Sequence, residues 1–272
     1  MCKTLPRIGV IDSGVGGLTV LVRLIEAMPR QPFFYLADHA WCPYGPRPVA
    51  ELQGRLTHLV AKLIDHGCGL VVVACNTATA AAIDLLRTTF PIPFVGMEPA
   101  VKPAALHSQT HHIGVLATEG TFHGRLFQQT TAACAKYAKV HIAVGTGLVE
   151  LVESGRADSP EARERLQELL APLLALRIDH LVLGCTHYPL LMPALVDVLP
   201  EGVTVVDPAP AVARHTSRLV EDICRQKASD SVIKSELGGK PLYPRLEFLS
   251  TTSTPALEAF ARRVFAFYGV GE

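Results

Sequence analysis

Two cysteines in this chain each close a short apolar run and open a polar turn: Cys75 in Leu70-Val71-Val72-Val73-Ala74-Cys75-Asn76-Thr77 and Cys185 in Leu181-Val182-Leu183-Gly184-Cys185-Thr186-His187. Both stretches read as strand, small residue, cysteine, polar turn, helix, and the strand ends of a doubly wound parallel sheet are where such folds collect their ligands. Two thiols facing each other across a cleft can remove a proton from one face of a carbon and return one to the other. Inverting a stereocentre by proton transfer requires that arrangement. A thiol with a reference pKa of ~8.5 becomes a base after a modest favourable shift, and the backbone donors at a helix start favour the thiolate. The alternative is that each cysteine is a small buried apolar residue, a common fate of a free thiol.

The neighbouring residues bear on this choice. Asp12-Ser13-Gly14-Val15-Gly16-Gly17 is a glycine-rich turn after the apolar run Ile8-Gly9-Val10-Ile11. Its glycines let backbone N–H groups approach an anion at a helix start, and Asp12 can hold an ammonium or take part in proton transfer. The turn lacks the Gly-Lys-Ser/Thr ending of a P-loop and the glycine spacing of a dinucleotide fingerprint, and a purely structural tight turn is the other reading. His187, two residues beyond Cys185, can share a proton with that thiol or be a satisfied structural histidine. Cys75, Cys185, His187 and a carboxylate could be assembled into a metal site, but nothing in the spacing demands one, and none is expected. Trp41-Cys42-Pro43-Tyr44-Gly45-Pro46 is a loop that should lie over the same sheet edge as Asp12 and Cys75, where Tyr44 and Gly45 line a pocket or serve as a rigid connector. Cys68, Cys134 and Cys224 lack polar turn neighbours and are expected in the core.

These residues need a scaffold of alternating strands and helices. Strands are predicted at Ile8–Ile11, Phe33–Leu36, the run ending at Cys75, and 92–96. Leu18 to Met28 is helical, and Val49, Leu52, Leu56, Leu59, Val60 and Leu63 form one face of an amphipathic helix. A second series begins at Ile113-Gly114-Val115-Leu116, which echoes Ile8-Gly9-Val10-Ile11 and again runs to a cysteine, the pattern of an internal duplication. Asp158-Ser159-Pro160 and Thr254-Pro255 signal helix starts. The fold class is therefore α/β: two similar doubly wound domains with parallel-type sheets, related by pseudo-twofold duplication, with the active site in the interdomain cleft. The stretch 228–243 lacks periodicity and is expected to be a surface excursion.

Equal numbers of Lys plus Arg and Asp plus Glu, 25 each, argue against nucleic acid and against a charged membrane surface as partners. A small-molecule substrate is expected. With no signal-peptide pattern, no apolar run near ~20 residues, and seven cysteines without regular spacing, the expectation is a cytoplasmic protein with reduced thiols. The first strand starts close to the N-terminus, so control through a long N-terminal extension is not expected.

Taken in order, Asp12-Ser13-Gly14-Val15-Gly16-Gly17, Pro43-Tyr44-Gly45, Ala74-Cys75-Asn76-Thr77-Ala78-Thr79-Ala80, Glu98-Pro99-Ala100 and Leu183-Gly184-Cys185-Thr186-His187-Tyr188-Pro189-Leu190-Leu191 closely resemble the glutamate racemase family. The resemblance runs over nearly the whole chain. It implies cofactor-independent interconversion of L- and D-glutamate, supplying D-glutamate for peptidoglycan in bacteria. It also implies two α/β domains, 1–97 plus 208–272 and 98–207, and a homodimer. By the family pattern Cys75 and Cys185 are the proton donors and acceptors, helped by Asp12 and His187. Asp12, Ser13, Tyr44, Gly45, Asn76, Thr77, Thr186 and His187 contact substrate, and Glu153 matches a further acidic position near the site. Pro48 and Thr146-Gly147 depart from the pattern, which bears on fine substrate contacts and cleft dynamics rather than on the reaction. Rival readings are a racemase for aspartate, a hydantoin or another small acid, and a two-domain binding protein that uses the cleft without chemistry.

Overall fold

In a computed structural model, described for residues 6–229 and 246–270, nine strands form two all-parallel sheets. The first sheet takes β1 (Arg7–Asp12), β2 (Phe33–Ala37), β3 (Cys68–Val73), β4 (Phe94–Gly96) and β9 (Leu246–Ser250) in the order β4-β3-β1-β2-β9. The second takes β5 (His112–Ala117), β6 (Lys139–Val144), β7 (His180–Gly184) and β8 (Thr204–Val206) in the order β6-β5-β7-β8. Read from the other edge, the second order is β8-β7-β5-β6, which is the first with each strand replaced by its counterpart four places later. Strand β9 is an addition beside β2. The echo between Ile8-Gly9-Val10-Ile11 and Ile113-Gly114-Val115-Leu116 is thus an echo of position, since β1 and β5 are both central strands.

The inner strands are apolar on both faces because helices cover both faces of a parallel sheet. Ile8, Val10, Leu70 and Val72 enter one buried cluster, and Ile11, Val71 and Val73 another. Helix α1 (Leu18–Ala27) packs against the long helix Ala209–Ser229, and α2 (Val49–Asp65) packs against α3 (Asn76–Thr89). The helix Pro160–Ala175 begins as expected, with Ser159 accepting from the Ala162 N–H. The last helix, Thr254–Phe267, is capped one residue earlier than expected: Ser253 accepts from the Ala256 N–H, and Thr254 is already helical. Strand β4 is shorter than predicted and starts at Phe94, because Pro91 and Pro93 cannot donate to a ladder. Cys68 and Cys134 are buried, whereas Cys224 is only half-buried. Most of the 228–243 stretch lies outside the described residues, as does Cys2. Among the described residues no helix is long and apolar enough to cross a membrane.

The Tyr44 loop is anchored to the sheet by a buried ion pair. Asp38, just beyond β2, has a fully buried side chain, receives two hydrogen bonds from the Arg55 guanidinium at 2.8 and 2.6 Å, and accepts a third from the Tyr44 hydroxyl at 2.8 Å. Burial alone would raise the Asp38 carboxyl, but these bonds hold it below its ordinary value. Removing one partner of a buried pair strands the other charge. Arg55→Ala is therefore expected to lower unfolding free energy by about 3–5 kcal/mol, read from urea denaturation. It should also raise KM, because Tyr44 loses the group that orients its anchor.

Candidate active site

Equivalent strand ends deliver the two cysteines. Cys75 lies just past β3 and Cys185 immediately past β7, the counterpart strand of the second sheet. Their bodies belong to different apolar clusters, yet both line one cavity between the sheets. That cavity and its mouth span about 280 Å³ of space between atoms, of which only about 10 Å³ can take the centre of a water molecule, room for about one water. A substrate of amino-acid size must part these walls to enter.

The local settings of the two thiols differ. Cys75 caps α3, its sulfur accepting from the Ala78 N–H at 3.4 Å, so the expected helix-start donor is present. Even so, burial pushes the Cys75 thiol well up, the nearby Asp12 carboxylate adds to this, and the Ala78 N–H offsets only part of it. The expected lowering is thus overturned in this closed cleft: one donor does not match the loss of water around a fully buried sulfur. Cys185 caps no α-helix. It is followed by a turn and a 3₁₀ segment, Tyr188–Leu191. Its partner is His187, whose Nδ1 lies 3.7 Å from the Cys185 sulfur.

His187 is the centre of a chain of buried polar groups. Its Nε2 lies 2.6 Å from Glu153 Oε1, and Glu153 Oε1 also accepts the Val15 N–H at 2.8 Å. His39 Nε2 lies 3.5 Å from the other Glu153 oxygen, while His39 Nδ1 meets the Ser250 hydroxyl at 2.8 Å. Burial opposes a charge on His187, but its bonds to Cys185, Cys42 and Glu153 raise it well above the ordinary imidazole value. For Glu153 burial again opposes the charge, and the His187, His39 and Val15 donors hold it well below the carboxylate range. The signs give a wide stable window. The Glu153 contribution is present above the ordinary carboxylate pKa of ~4.3 and lost as pH falls through its depressed value. The His187 contribution is present below the ordinary imidazole value of ~6.5 and lost as pH rises through its raised value. Glu153→Gln should cost about 3 kcal/mol at neutral pH. It should also flatten the alkaline decline of stability, as followed by denaturant melts between pH 6 and 10.

The glycine-rich turn has an unexpected reason for its composition. Gly14, Gly16 and Gly17 all have ordinary backbone angles, so no left-handed conformation demands them. The second unit demands two of them, since a Cβ on Gly16 would collide with the His187 ring and with Thr186 Oγ1 and one on Gly14 with the Glu153 carboxylate, whereas one on Gly17 would meet Asp12 and the Tyr35 hydroxyl of its own sheet. The anion at this turn is the chain's own Glu153, held by Val15. Gly147, one of the two noted departures, takes φ +83° and starts the helix Leu148–Glu153 that carries this carboxylate. Pro48, the other, precedes the first turn of α2, where its fixed φ costs nothing.

Of the residues expected to meet a substrate, Ser13, Tyr44, Gly45, Asn76, Thr77, Thr186 and His187 line the cavity. Asp12 and Glu153 do not. Asp12 is 1% exposed at the end of β1, with its oxygens taken by the Gly14 N–H at 2.8 Å and the Thr186 hydroxyl at 3.1 Å. Burial raises its carboxyl, an effect only partly offset by the charge on His187. Glu153 stands behind His187. Each touches a residue that does line the cavity, Asp12 accepting from Thr186 and Glu153 lying against His187. Pro43, Thr118 and Val149 also line the cavity, although none of them is among the residues expected to meet a substrate. Thr118 could have been found. It follows β5 as Ser13 follows β1, and its hydroxyl lies 2.7 Å from that of Thr77 across the cleft.

Two further observations describe what the cavity can do. The described lining residues include no Lys or Arg, so carboxylates would be met by hydroxyls, amides and backbone N–H groups. Asn76 Oδ1 is buried without a hydrogen-bond partner, an acceptor available to an ammonium group. Beside the cavity, Cys42, Glu153 and His187 hold ligand-type atoms within 4.8 Å of one another.

Comparison with known proteins identifies the family and the fold. A family model described as Asp/Glu/Hydantoin racemase matches residues 8–216. Among curated relatives, the glutamate racemase of Cupriavidus pinatubonensis is 44% identical over 215 residues, 79% of each chain. The glutamate racemase of Roseiflexus sp. is 46% identical over 216 residues, again 79% of each. The solved structure of Escherichia coli glutamate racemase in complex with L-glutamate and the activator UDP-MurNAc-ala superposes with a TM-score of 0.79 at 30% identity, covering 96% of both chains. Glutamate racemase RacE1 from Bacillus anthracis gives a TM-score of 0.79 at 32% identity, over 96% of this chain and 94% of that one.

Proposed function

The chain belongs to the Asp/Glu/hydantoin racemase family, and we propose that it racemises glutamate by a two-base mechanism in which Cys75 and Cys185 are the acid/base pair. The observation that carries this reading is the placement of two cysteines at counterpart strand ends of two sheets, lining one cavity. One sulfur, as thiolate, takes the α-proton. The other, as thiol, returns a proton to the opposite face of the planar carbanion. The roles reverse for the other direction, and no net proton is consumed.

The surrounding groups fit glutamate. Asn76 Oδ1 is placed to accept from the α-ammonium, which would end its unpartnered state. Ser13, Thr77, Thr118 and Thr186 supply hydroxyls for the two carboxylates, and the charge that develops during proton removal falls on the α-carboxylate they would hold. Cys75, raised by burial, is suited to wait as the protonated acid. Cys185 can exchange its proton with His187, which Glu153 keeps in place. The near absence of water space in the cavity means that proton transfer occurs in a desolvated cleft, where each hydrogen bond to the carbanion counts for more. The reading includes supply of D-glutamate for peptidoglycan in the cytoplasm, and a homodimeric assembly.

The test is circular dichroism of L-glutamate and L-aspartate incubated separately with the enzyme, without added cofactor. Loss of the glutamate signal alone is expected. In deuterium oxide the D-glutamate formed should carry deuterium at Cα. Unlabelled D-glutamate would rule out exchange through thiols and sink the mechanism.

A further inference from the structure

Cys42 has no part in proton transfer as described above, yet it points at the same carboxylate that holds His187. Its sulfur lies 3.7 Å from Glu153 Oε1. On the far side of that carboxylate stands the His39 imidazole. One thiol, one imidazole and one carboxylate oxygen thus converge outside the cavity wall, Cys42, Glu153 and His187 meeting the 4.8 Å spacing of a shared ion, while His39 backs the other carboxylate oxygen. This is a nitrogen, sulfur and oxygen donor set of the kind that binds zinc, not the all-oxygen shell that suits magnesium or calcium.

The spacing supports the same conclusion. Four ligands at zinc bond lengths of about 2.0–2.3 Å stand about 3.3–3.8 Å apart at the corners of a tetrahedron. The distance of 3.7 Å from the Cys42 sulfur to Glu153 Oε1 already matches, while His39, 3.5 Å from the other oxygen, stands as an outer partner that orients the carboxylate. His187 and Glu153, now 2.6 Å apart around a shared proton, must separate by a fraction of an ångström, and Cys42 and His187 lie within 4.8 Å of each other. Access is also present: the Glu153 and His39 side chains are 22% and 18% exposed, and Cys42 is half-buried.

We propose that Cys42, His187 and Glu153 form an inhibitory site for a zinc-type divalent cation, with His39 holding the second Glu153 oxygen from behind. The inhibitory consequence rests on the racemase reading, whereas the binding does not. Cation binding releases to solvent the Cys42 thiol proton and the proton shared by His187 and Glu153, and no bond other than these is broken. With the cation on Nε2, a neutral His187 must carry its hydrogen on Nδ1, the atom facing Cys185. It can then no longer receive a proton from that sulfur, and turnover stops.

Cobalt(II) replaces zinc in such sites and shows thiolate-to-metal absorption in the near ultraviolet, so the experiment titrates the reduced full chain with Co²⁺. One equivalent with a thiolate band, displaced by Zn²⁺, is expected. The band should persist in Cys185→Ser and Cys75→Ser and disappear in Cys42→Ser. His39→Gln should keep the band while weakening binding about 10- to 100-fold. In the racemase assay Zn²⁺ should inhibit, EDTA should reverse it, Mg²⁺ should have no effect, and Cys42→Ser should need at least about tenfold more Zn²⁺ for half inhibition. A band that vanishes with Cys185→Ser but survives Cys42→Ser would place the cation on the catalytic thiol and overturn the proposal, as would the absence of any thiolate band. A chain that binds Co²⁺ through Cys42 but racemises nothing after EDTA treatment upholds the site and overturns the functional reading instead.

Discussion

Replacing either Cys75 or Cys185 by serine is expected to lower glutamate racemisation by about 10³-fold or more, at the upper part of the range for a single positioned acid or base. A hydroxyl is close to a thiol in size, so the cavity keeps its shape, but its pKa is far too high for it to act as a base near neutrality. The two variants should fail in complementary ways. With one sulfur left, a proton can be removed and returned on one face only, so each variant should wash solvent deuterium into one enantiomer without converting it. The enantiomer labelled should differ between Cys75→Ser and Cys185→Ser. Proton NMR of L- and D-glutamate in deuterium oxide reads this directly. Equal labelling of both enantiomers by either single variant would show that the missing sulfur was not one of the two bases.

Gly16→Ala is expected to cut kcat/KM by about 10² or more, because a displacement of ~1 Å in a catalytic group has consequences of that size. The new methyl meets the His187 ring and Thr186 Oγ1, which are wedged between the glycine turn and the Cys185 strand end and have little room to yield. His187 would then lose its alignment with both Cys185 and Glu153. Gly54→Ala is the matching control. It lies in α2 with nothing within 4 Å of the added carbon, and alanine in a helix interior should raise stability by about 0.5–1 kcal/mol with turnover unchanged. Thermal melts run beside the kinetics separate the two effects. Wild-type kcat/KM in folded Gly16→Ala would show that the glycine serves the turn alone and not the approach of His187.

Much of the scaffold was legible in the chain because its signals are local. Alternating apolar runs and helical stripes predicted most of the first half's strands and helices, and the echo of Ile8-Gly9-Val10-Ile11 in Ile113-Gly114-Val115-Leu116 anticipated a duplication, which the two sheets display as matching strand orders. Boundaries were less legible where capping competed, as at Ser253 and Thr254, both of which can cap. The cavity-lining residues were found where they sit at strand ends. Thr118 follows β5 as Ser13 follows β1, but no glycine-rich turn or cysteine beside it distinguishes it from the chain's other threonines.

The amino-acid sequence by itself determined that this is a duplicated α/β protein with a thiol at the end of the corresponding strand in each half, since those features depend on period and neighbours along the chain. Only the tertiary structure decided that Asp12 is sealed behind the cavity, that the glycine turn receives the chain's own Glu153 rather than a ligand, and that Cys42 and His39 gather around that carboxylate. Val15 and Glu153 are 138 residues apart. Their hydrogen bond depends on how two separately formed sheets press together, and no local spacing encodes that distance.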